Sequence, residues 1–242
     1  MKIVKHIPNT ITSMNLLCGV LGVISTFEGR FDLAFYLMLA AAVCDFCDGL
    51  AARLLKAYSD MGKELDSLAD MVSFGVLPSL MMYGLMTDIH GNAFICCIPL
   101  LIAIFSALRL AKFNIDDRQS DNFIGLATPA CAMICGSFTY YVSNDPTSVL
   151  YSWAGSSWFI PTASVILCYL LISEIPMFSM KFKKNIKSGT PIHKQRISFL
   201  GVIFVACLLT LLLGLNWSMI VLLTFVSYIV MNIGVAVLFR KR

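Results

Sequence analysis

The chain is dominated by long apolar stretches that are separated by short polar segments. We distinguish eight of them, each close to the roughly 20 residues that an α-helix needs to cross the hydrocarbon core of a membrane. They span residues 11–27, 31–53, 63–87, 93–113, 123–143, 158–180, 197–215 and 217–239. None alternates between polar and apolar positions with the period of two that is typical of a membrane β-strand. The pattern therefore predicts an all-α, polytopic membrane helical bundle with about eight transmembrane helices.

The composition agrees with a membrane protein. Of the 242 residues, 58% are hydrophobic and only 13% are charged, and the mean hydropathy is +0.81. Soluble domains carry about 25% charged residues, so the composition argues against an ordinary soluble protein. Because no polar segment is long enough to fold alone, we predict one membrane domain that covers residues 1–242.

The basic residues predict an orientation in the membrane. Of the 18 lysine and arginine residues, 17 lie at the termini or near every second connection between the stretches, all of which fall on one side of the membrane in an eight-helix arrangement. The exception is Arg30. The most basic connection is 181–196. Since positively charged connections stay in the cytoplasm, we expect both termini to be cytoplasmic, together with the connection 54–61.

Four aspartates lie close together at the end of the second stretch and the start of the third. Asp45 and Asp48 are three positions apart, and Asp66 and Asp70 are four apart, so each pair shares one face of a helix. Two antiparallel helices with a short connection can bring both pairs to one point near the cytoplasmic surface. A carboxylate in a membrane segment is costly and is a functional-site hypothesis by default.

The aspartates predict a divalent metal site. Carboxylates held so close cannot all stay ionised unless something neutralises them, and Mg²⁺ or Mn²⁺ are the cations that suit an all-oxygen site. A pair of such ions can clamp a pyrophosphate. Gly49, Ala52 and Gly62 leave the same helix faces bare for a nucleotide, and Arg53 offers a cation for its phosphates.

Two other interpretations of the aspartates stay open. A structural set of hydrogen bonds between helices would normally use Ser, Thr or Asn rather than four acidic residues. A cation-coupled transporter would place its acidic residues near the middle of the bilayer, whereas these lie towards one surface beside Arg53.

The segment around the aspartates resembles the signature D-x-x-D-G-x-x-A-R-(x)n-G-x-x-x-D-x-x-x-D of the CDP-alcohol phosphatidyltransferase family. The matching residues are Asp45, Asp48, Gly49, Ala52, Arg53, Gly62, Asp66 and Asp70. The resemblance implies an enzyme of the bacterial inner membrane that transfers a phosphatidyl group from CDP-diacylglycerol to an alcohol and releases CMP. It further implies two Mg²⁺ or Mn²⁺ ions and a homodimer in contact with membrane lipids. We expect no nucleic-acid partner.

The resemblance also assigns roles to single residues. Asp45, Asp48 and Asp66 resemble metal ligands, and Asp70 resembles a general base that also reaches a metal. The positions that resemble contacts to the CDP-linked lipid are Asn9, Thr12, Gly49, Ala52, Arg53, Ser59 and Gly62. From the residues alone, Asn9 and Thr12 are equally well explained as a cap of the first helix.

Two downstream segments resemble the bacterial branch of the family that uses L-serine as the alcohol. Arg109-Leu-Ala-Lys112-Phe-Asn114 resembles R-L-A-R-F-N, and Phe123-Ile-Gly125-Leu-Ala-Thr128-Pro129 resembles F-x-G-L-P-T-P, each with one departure. A serine carboxylate needs a cation, for which Arg109 and Arg118 are candidates. Arg109 could instead extend from a helix end to the membrane surface, and Arg118 could be a solvated loop residue. Glycerol 3-phosphate, inositol phosphate and choline stay open as alternative acceptors.

Overall fold

The protein is an all-α bundle, as predicted. The computed structural model describes residues 6–91, 93–116, 123–177 and 191–240, with only the backbone for 123, 191–197 and 238–240. The helices in this part of the chain are α1 (Ile7–Phe27), α2 (Phe31–Leu54), α3 (Asp60–Asp70), α4 (Leu77–His90), α5 (Leu101–Ile115), α6 (Thr128–Asn144), α7 (Val149–Ala154), α8 (Phe159–Ile172), α9 (Pro191–Leu212) and α10 (Ser218–Arg240). Two short strands, β1 (Phe123–Ile124) and β2 (Pro176–Met177), pair in antiparallel orientation.

Several helices are suited to a membrane. Within the described residues, five segments are long and apolar enough to cross a bilayer: Ile7–Phe27, Phe31–Leu54, Asp60–His90, Phe94–Ile115 and Ser218–Val237. Two shorter apolar helices are Phe159–Ile172 and Ser198–Leu212. The prediction of a polytopic membrane protein is confirmed, while the number of eight spans stays a prediction.

The third predicted stretch is a composite helix. Between α3 and α4 the backbone forms a π-helical turn over Met71–Val76. Pro78 follows immediately in the first turn of α4. A proline inside a helix has no N–H to donate to the carbonyl four residues earlier, and its ring clashes with that carbonyl. The wider π-helical turn before Pro78 relieves this clash. The π-helical turn begins directly after Asp70, and such turns are frequent at functional sites.

Helix α6 is the centre of the bundle. Its residues from Ala130 to Val142 are all buried, and it packs against α2, α4 and α10. Small residues allow this close packing: a side chain at Gly136 would collide with Phe35 and Met38 of α2. This arrangement holds two helices against a common core: α2, which carries Asp45 and Asp48, and α4, which continues the helix that carries Asp66 and Asp70.

Helix α1 covers the aspartate helices through a face of small and polar residues. The buried residues of this face include Thr12, Asn15, Gly19 and Gly22. A side chain at Gly19 would collide with Ser73 in the π-helical turn. The absence of side chains at the glycines therefore brings Thr12 and Asn15 to the aspartates.

The boundaries of some predicted elements were wrong. The stretch 123–143 begins with β1 and a turn at Gly125 (φ +76°), and α6 starts only at Thr128, where Pro129 suits the first helical turn. Within the stretch 158–180, the residues described, up to 177, form α8 and then β2. Of the predicted basic connection 181–196, the part after 190 is the start of α9, whereas 178–190 lie outside the described residues.

Candidate active site

All four aspartates face one cavity of about 580 Å³ between α1, α2, α3 and α5. The prediction that two facing helices bring them together is confirmed. The same cavity is lined by all the residues that resemble contacts to the CDP-linked lipid: Asn9, Thr12, Gly49, Ala52, Arg53, Ser59 and Gly62. Arg109 also lines it, while Arg118 lies outside the described residues.

Three of the aspartates form a group that could hold a metal ion. Asp45, Asp48 and Asp66 each offer one carboxylate oxygen, and these oxygens lie within 4.8 Å of one another. One oxygen of Asp66, Oδ1, is buried without a hydrogen-bond partner in the described structure. A buried carboxylate oxygen with no donor is costly, and a hard divalent cation would satisfy it. Asp70 lies outside this group of three but lines the same cavity.

Asp48 is held by α1. The Thr12 hydroxyl donates a hydrogen bond of 2.6 Å to Asp48 Oδ2, and both residues are buried. Bonds from a hydroxyl to a carboxylate are among the short and strong ones. The alternative interpretation of Asn9 and Thr12 as a helix cap is wrong, because α1 begins at Ile7, before either residue.

The connection between α2 and α3 is short and shaped by Ser59. It covers residues 55–59, and the Ser59 hydroxyl accepts a hydrogen bond of 3.0 Å from the Gly62 N–H, which caps α3. A Cβ atom at Gly62 would lie only 3.0 Å from Asn9 Oδ1 and from Ser59 Oγ. The missing side chain at Gly62 thus accommodates the side chains of Asn9 and Ser59 as well as bordering the cavity. The sequence predicted only the second of these roles.

Gly49 and Arg53 lie on the opposite wall, on α2. Beyond the neighbouring backbone of α2, no atom of the described residues lies within 4 Å of a Cβ built at Gly49, so this position borders open space, as predicted. Arg53 donates from Nε to the Gly49 carbonyl at 2.9 Å and its side chain is exposed at the cavity. Because Arg has five N–H donors, the guanidinium keeps four of them for an anion.

Arg109 is buried deep in the cavity wall. Only 6% of its surface is exposed, and its Nε and Nη2 atoms have no hydrogen-bond partner among the described residues. The guanidinium lies over the Phe113 ring, 5.9 Å from its centre, and is close enough to Asp70 to interact electrostatically. The interpretation of Arg109 as a residue that reaches the membrane surface is therefore wrong. A buried cation with two free donors is expected to bind an anion.

Several residues of the cavity were missed by the sequence analysis. Lys63 lines it, and its Nζ donates to the Asn114 carbonyl at 3.2 Å, while Asn114 Nδ2 donates to Ser67 Oγ at 2.9 Å. These bonds connect α3 to the end of α5. The presence of Asn114 in a segment of family resemblance was the available signal for this contact.

Asn15 was also missed. Its Nδ2 atom donates to Asp70 Oδ1 at 3.3 Å, and the side chain is fully buried. The available signal was a polar residue inside an apolar stretch, three positions after Thr12 and therefore on the same face of the helix.

Comparison with known proteins agrees with this site. A family model described as "CDP-alcohol phosphatidyltransferase" matches residues 5–170. The chain is similar to three proteins that carry the name "CDP-diacylglycerol--serine O-phosphatidyltransferase". The first, from Bacillus subtilis (strain 168), is 36% identical over 189 residues, which are 76% of this chain and 98% of the relative.

The other two relatives are longer than the matched region. The protein from Helicobacter pylori (strain J99 / ATCC 700824) is 38% identical over 129 residues, 52% of this chain and 54% of the relative. The protein from Mycobacterium leprae (strain TN) is 33% identical over 182 residues, 72% of this chain and 58% of the relative. The chain thus spans little more than half the length of these two relatives. The matched family model and the aspartate cavity together establish that the chain belongs to the CDP-alcohol phosphatidyltransferase family.

Proposed function

We propose that this protein is a phosphatidylserine synthase, which transfers the phosphatidyl group of CDP-diacylglycerol to L-serine and releases CMP. The observation that carries this proposal is the cavity in which the aspartate group and the buried guanidinium of Arg109 meet. The aspartates suit a metal-bound pyrophosphate, and the guanidinium suits the carboxylate of an amino acid. The names of the relatives support serine as the acceptor.

Asp45, Asp48 and Asp66 would hold the metal, and Asp70 would add a further ligand. We propose Mg²⁺ or Mn²⁺, because all the acidic donors are oxygens. We propose two ions in the working site, because a pair of ions can clamp a pyrophosphate. When bound, the metal would neutralise the negative charge of the pyrophosphate and of the departing CMP. The bond from Thr12 to Asp48 keeps that carboxylate in one orientation before the metal arrives.

Asp70 is the proposed general base. It lines the cavity outside the group of three aspartates and near Arg109, which is where an acceptor bound through its carboxylate would lie. A serine hydroxyl is hardly ionised at neutral pH, so the base takes its proton during the attack. The serine oxygen forms a bond to the phosphorus that carries diacylglycerol, the bond from that phosphorus to the CMP oxygen breaks, and the proton moves to Asp70.

The nucleotide would occupy the side of the cavity formed by α2 and by the first turn of α1. Arg53 would contact the phosphates, while the open space beside Gly49 and Ala52 would receive the CDP group. Asn9, Ser59 and Gly62 lie together across the cavity and would provide polar and close-contact surface for it.

Arg109 would bind the carboxylate of serine. Its two free donors, Nε and Nη2, are neighbours on one edge of the guanidinium and match the two oxygens of a carboxylate. Arg118 stays a second candidate from the sequence. We further propose that residues 1–242 form one domain that works as a homodimer in the bacterial inner membrane. Both termini and the cavity would face the cytoplasm, the side on which positively charged connections are expected to stay.

The acceptor is tested by a CMP-release assay on the purified protein with CDP-diacylglycerol. L-serine should release CMP, whereas glycerol 3-phosphate, inositol phosphate and choline should give at least about tenfold less. Choline has no anionic group for the guanidinium, and the phosphates of the other two are larger and carry more charge than a carboxylate. A larger rate with one of these alcohols would transfer the proposal to that acceptor. The absence of CMP release with every alcohol would favour the transporter interpretation.

A further inference from the structure

Helix α1 reaches the proposed base through a residue that the proposed chemistry does not use. The side chain of Asn15 is fully buried, and its Nδ2 donates to Asp70 Oδ1 at 3.3 Å. Within the described residues, Asn15 is the only hydrogen-bond donor to this carboxylate. An amide donates through its NH₂ group, and the Oδ1 atom of Asn15 is buried without a hydrogen-bond partner among the described residues.

Asn15 is itself held from the helix that carries Asp70. The Ser73 hydroxyl donates to the main-chain carbonyl of Asn15 at 3.1 Å, and Ser73 is fully buried. Ser73 lies in the π-helical turn, three positions after Asp70. In one bond α1 donates to Asp70, and in the other the π-helical turn donates to α1. Asn15 is therefore hydrogen-bonded both to Asp70 and to the turn that follows it.

The packing around these bonds is tight. A side chain at Gly19 would collide with Ser73, so α1 and the π-helical turn approach as closely as their backbones allow. Close packing of this kind resists small displacements. The backbones that carry Asn15 and Ser73 are therefore held close together.

A carboxylate can rotate about its terminal bond, and a base acts well only when one oxygen is held within hydrogen-bond reach of the proton. The amide of Asn15 binds Oδ1 of Asp70 and leaves Oδ2 for the acceptor hydroxyl. Because the amide is neutral, it orients the carboxylate without adding a positive charge to the acidic cavity. Errors of about 1 Å in such a position cost on the order of 100-fold in rate.

We propose that Asn15 is a positioning residue that aims Asp70 at the acceptor hydroxyl, and that Ser73 holds Asn15 in place. This inference rests on the proposed role of Asp70 as the base. Thr12 lies on the same face of α1 but donates to Asp48, a proposed metal ligand. One face of α1 thus carries two separate tasks: Thr12 supports the binding of the CDP-linked lipid, and Asn15 supports the proton transfer.

The test is Asn15→Leu, which keeps the number of side-chain heavy atoms but has no donor. We expect kcat for CMP release to fall by about 10- to 100-fold. The KM for CDP-diacylglycerol and the melting temperature of the detergent-solubilised protein should stay close to the parent values. Ser73→Ala should lower kcat in the same direction by a smaller factor. The matched control is Ser25→Ala, which removes a buried hydroxyl of α1 whose one hydrogen bond among the described residues is to Leu21 O of the same helix, and it should leave kcat unchanged.

Asn15→Ala, which is smaller and likewise has no donor, replaces Asn15→Leu if the latter does not fold, and the same fall in kcat is expected. A kcat equal to that of the parent protein in the variant that folds would overturn the inference. So would a loss that appears in the KM for CDP-diacylglycerol rather than in kcat, since it would mean a structural role.

Asp70→Asn separates the inference from the proposed function. If this variant keeps full transfer activity, the proposed base is wrong, and the positioning role is wrong with it. If Asp70→Asn abolishes transfer but Asn15→Leu has no effect, only the positioning role is wrong.

Discussion

At the scale of the residue, the guanidinium of Arg109 is the least expected feature of the site. Buried cations are normally paired or fully hydrogen-bonded, because water would otherwise satisfy them better. Arg109 keeps two nitrogen atoms, Nε and Nη2, without a hydrogen-bond partner in the described structure, although other polar residues line the same cavity. Such a residue is best understood as a binding group whose partner arrives with the substrate.

Replacement of Arg109 should therefore act on the acceptor alone. In Arg109→Met we expect the KM for L-serine to rise by about 10- to 100-fold, because a hydrogen-bonded charge pair is lost. Binding of CDP-diacylglycerol should stay within about twofold of the parent value. The parent protein should prefer L-serine to ethanolamine, which lacks the carboxylate, and the variant should lose this preference.

The control for Arg109 is another basic residue of α5. Lys112 forms an exposed ion pair of 3.7 Å with Glu174 and does not line the cavity. Lys112→Met should leave the KM for L-serine unchanged, since exposed ion pairs contribute little. An unchanged preference for L-serine over ethanolamine in Arg109→Met would exclude Arg109 as the carboxylate-binding residue.

At the scale of the element, the site depends on how closely α1, α2 and α3 approach. Two glycines of the family signature serve different purposes in this contact. Gly62 accommodates Asn9 and Ser59, whereas Gly49 borders open space. The difference could not be read from the signature, in which both are simply glycines.

The two glycines make a matched pair of alanine substitutions. Gly49→Ala should raise the thermal stability, because alanine favours a helix interior by about 1 kcal/mol over glycine and, beyond the neighbouring backbone of α2, meets no atom of the described residues within 4 Å. It should nevertheless weaken the binding of CDP-diacylglycerol by about tenfold or more if the CDP group fills that space.

Gly62→Ala should give no such gain in stability, since its methyl group would press on Asn9 and Ser59. The measurements are the melting temperature in detergent and the KM for CDP-diacylglycerol. Unchanged affinity in Gly49→Ala would mean that the nucleotide does not approach this face of α2.

At the scale of the whole molecule, the metal should connect elements that are far apart in the chain. The group of three aspartates joins α2 to α3, and Thr12 connects α1 to the same group. A ligand that binds only the folded state raises its stability. Mg²⁺ or Mn²⁺ should therefore increase the melting temperature as well as restore the activity that EDTA removes.

The metal site can be tested without the enzymatic reaction. Asp66→Asn should abolish the increase in melting temperature with Mg²⁺, because it removes one of the three converging oxygens. Asp32→Asn is the control, since Asp32 is an exposed aspartate at the opposite end of α2, and it should keep the increase. Full activity in EDTA, or an unchanged Mg²⁺ effect in Asp66→Asn, would contradict the metal site.

Much of the site was predictable because it is local in sequence. The four aspartates, Gly49, Arg53 and Gly62 lie on two consecutive helices with a short connection, so helical periodicity alone brings them to one side. The contacts of Asn15, Lys63 and Arg109 cross between helices that are separated in the chain. Periodicity says which face of a helix such a residue occupies, but not which helix packs against that face.

The sequence by itself determined the helical membrane character, the family and the aspartate group, because each depends on composition or on spacing within about 26 residues. Only the tertiary structure decided that Thr12 and Asn15 contact different aspartates, and that Arg109 is buried in the wall of the cavity that Asp70 also lines rather than extended to the membrane surface. The physical reason is that these contacts depend on the packing of α1 and α5 against α2 and α3. That packing follows from the shapes of whole helix faces, such as the glycine face of α1, and not from any single segment.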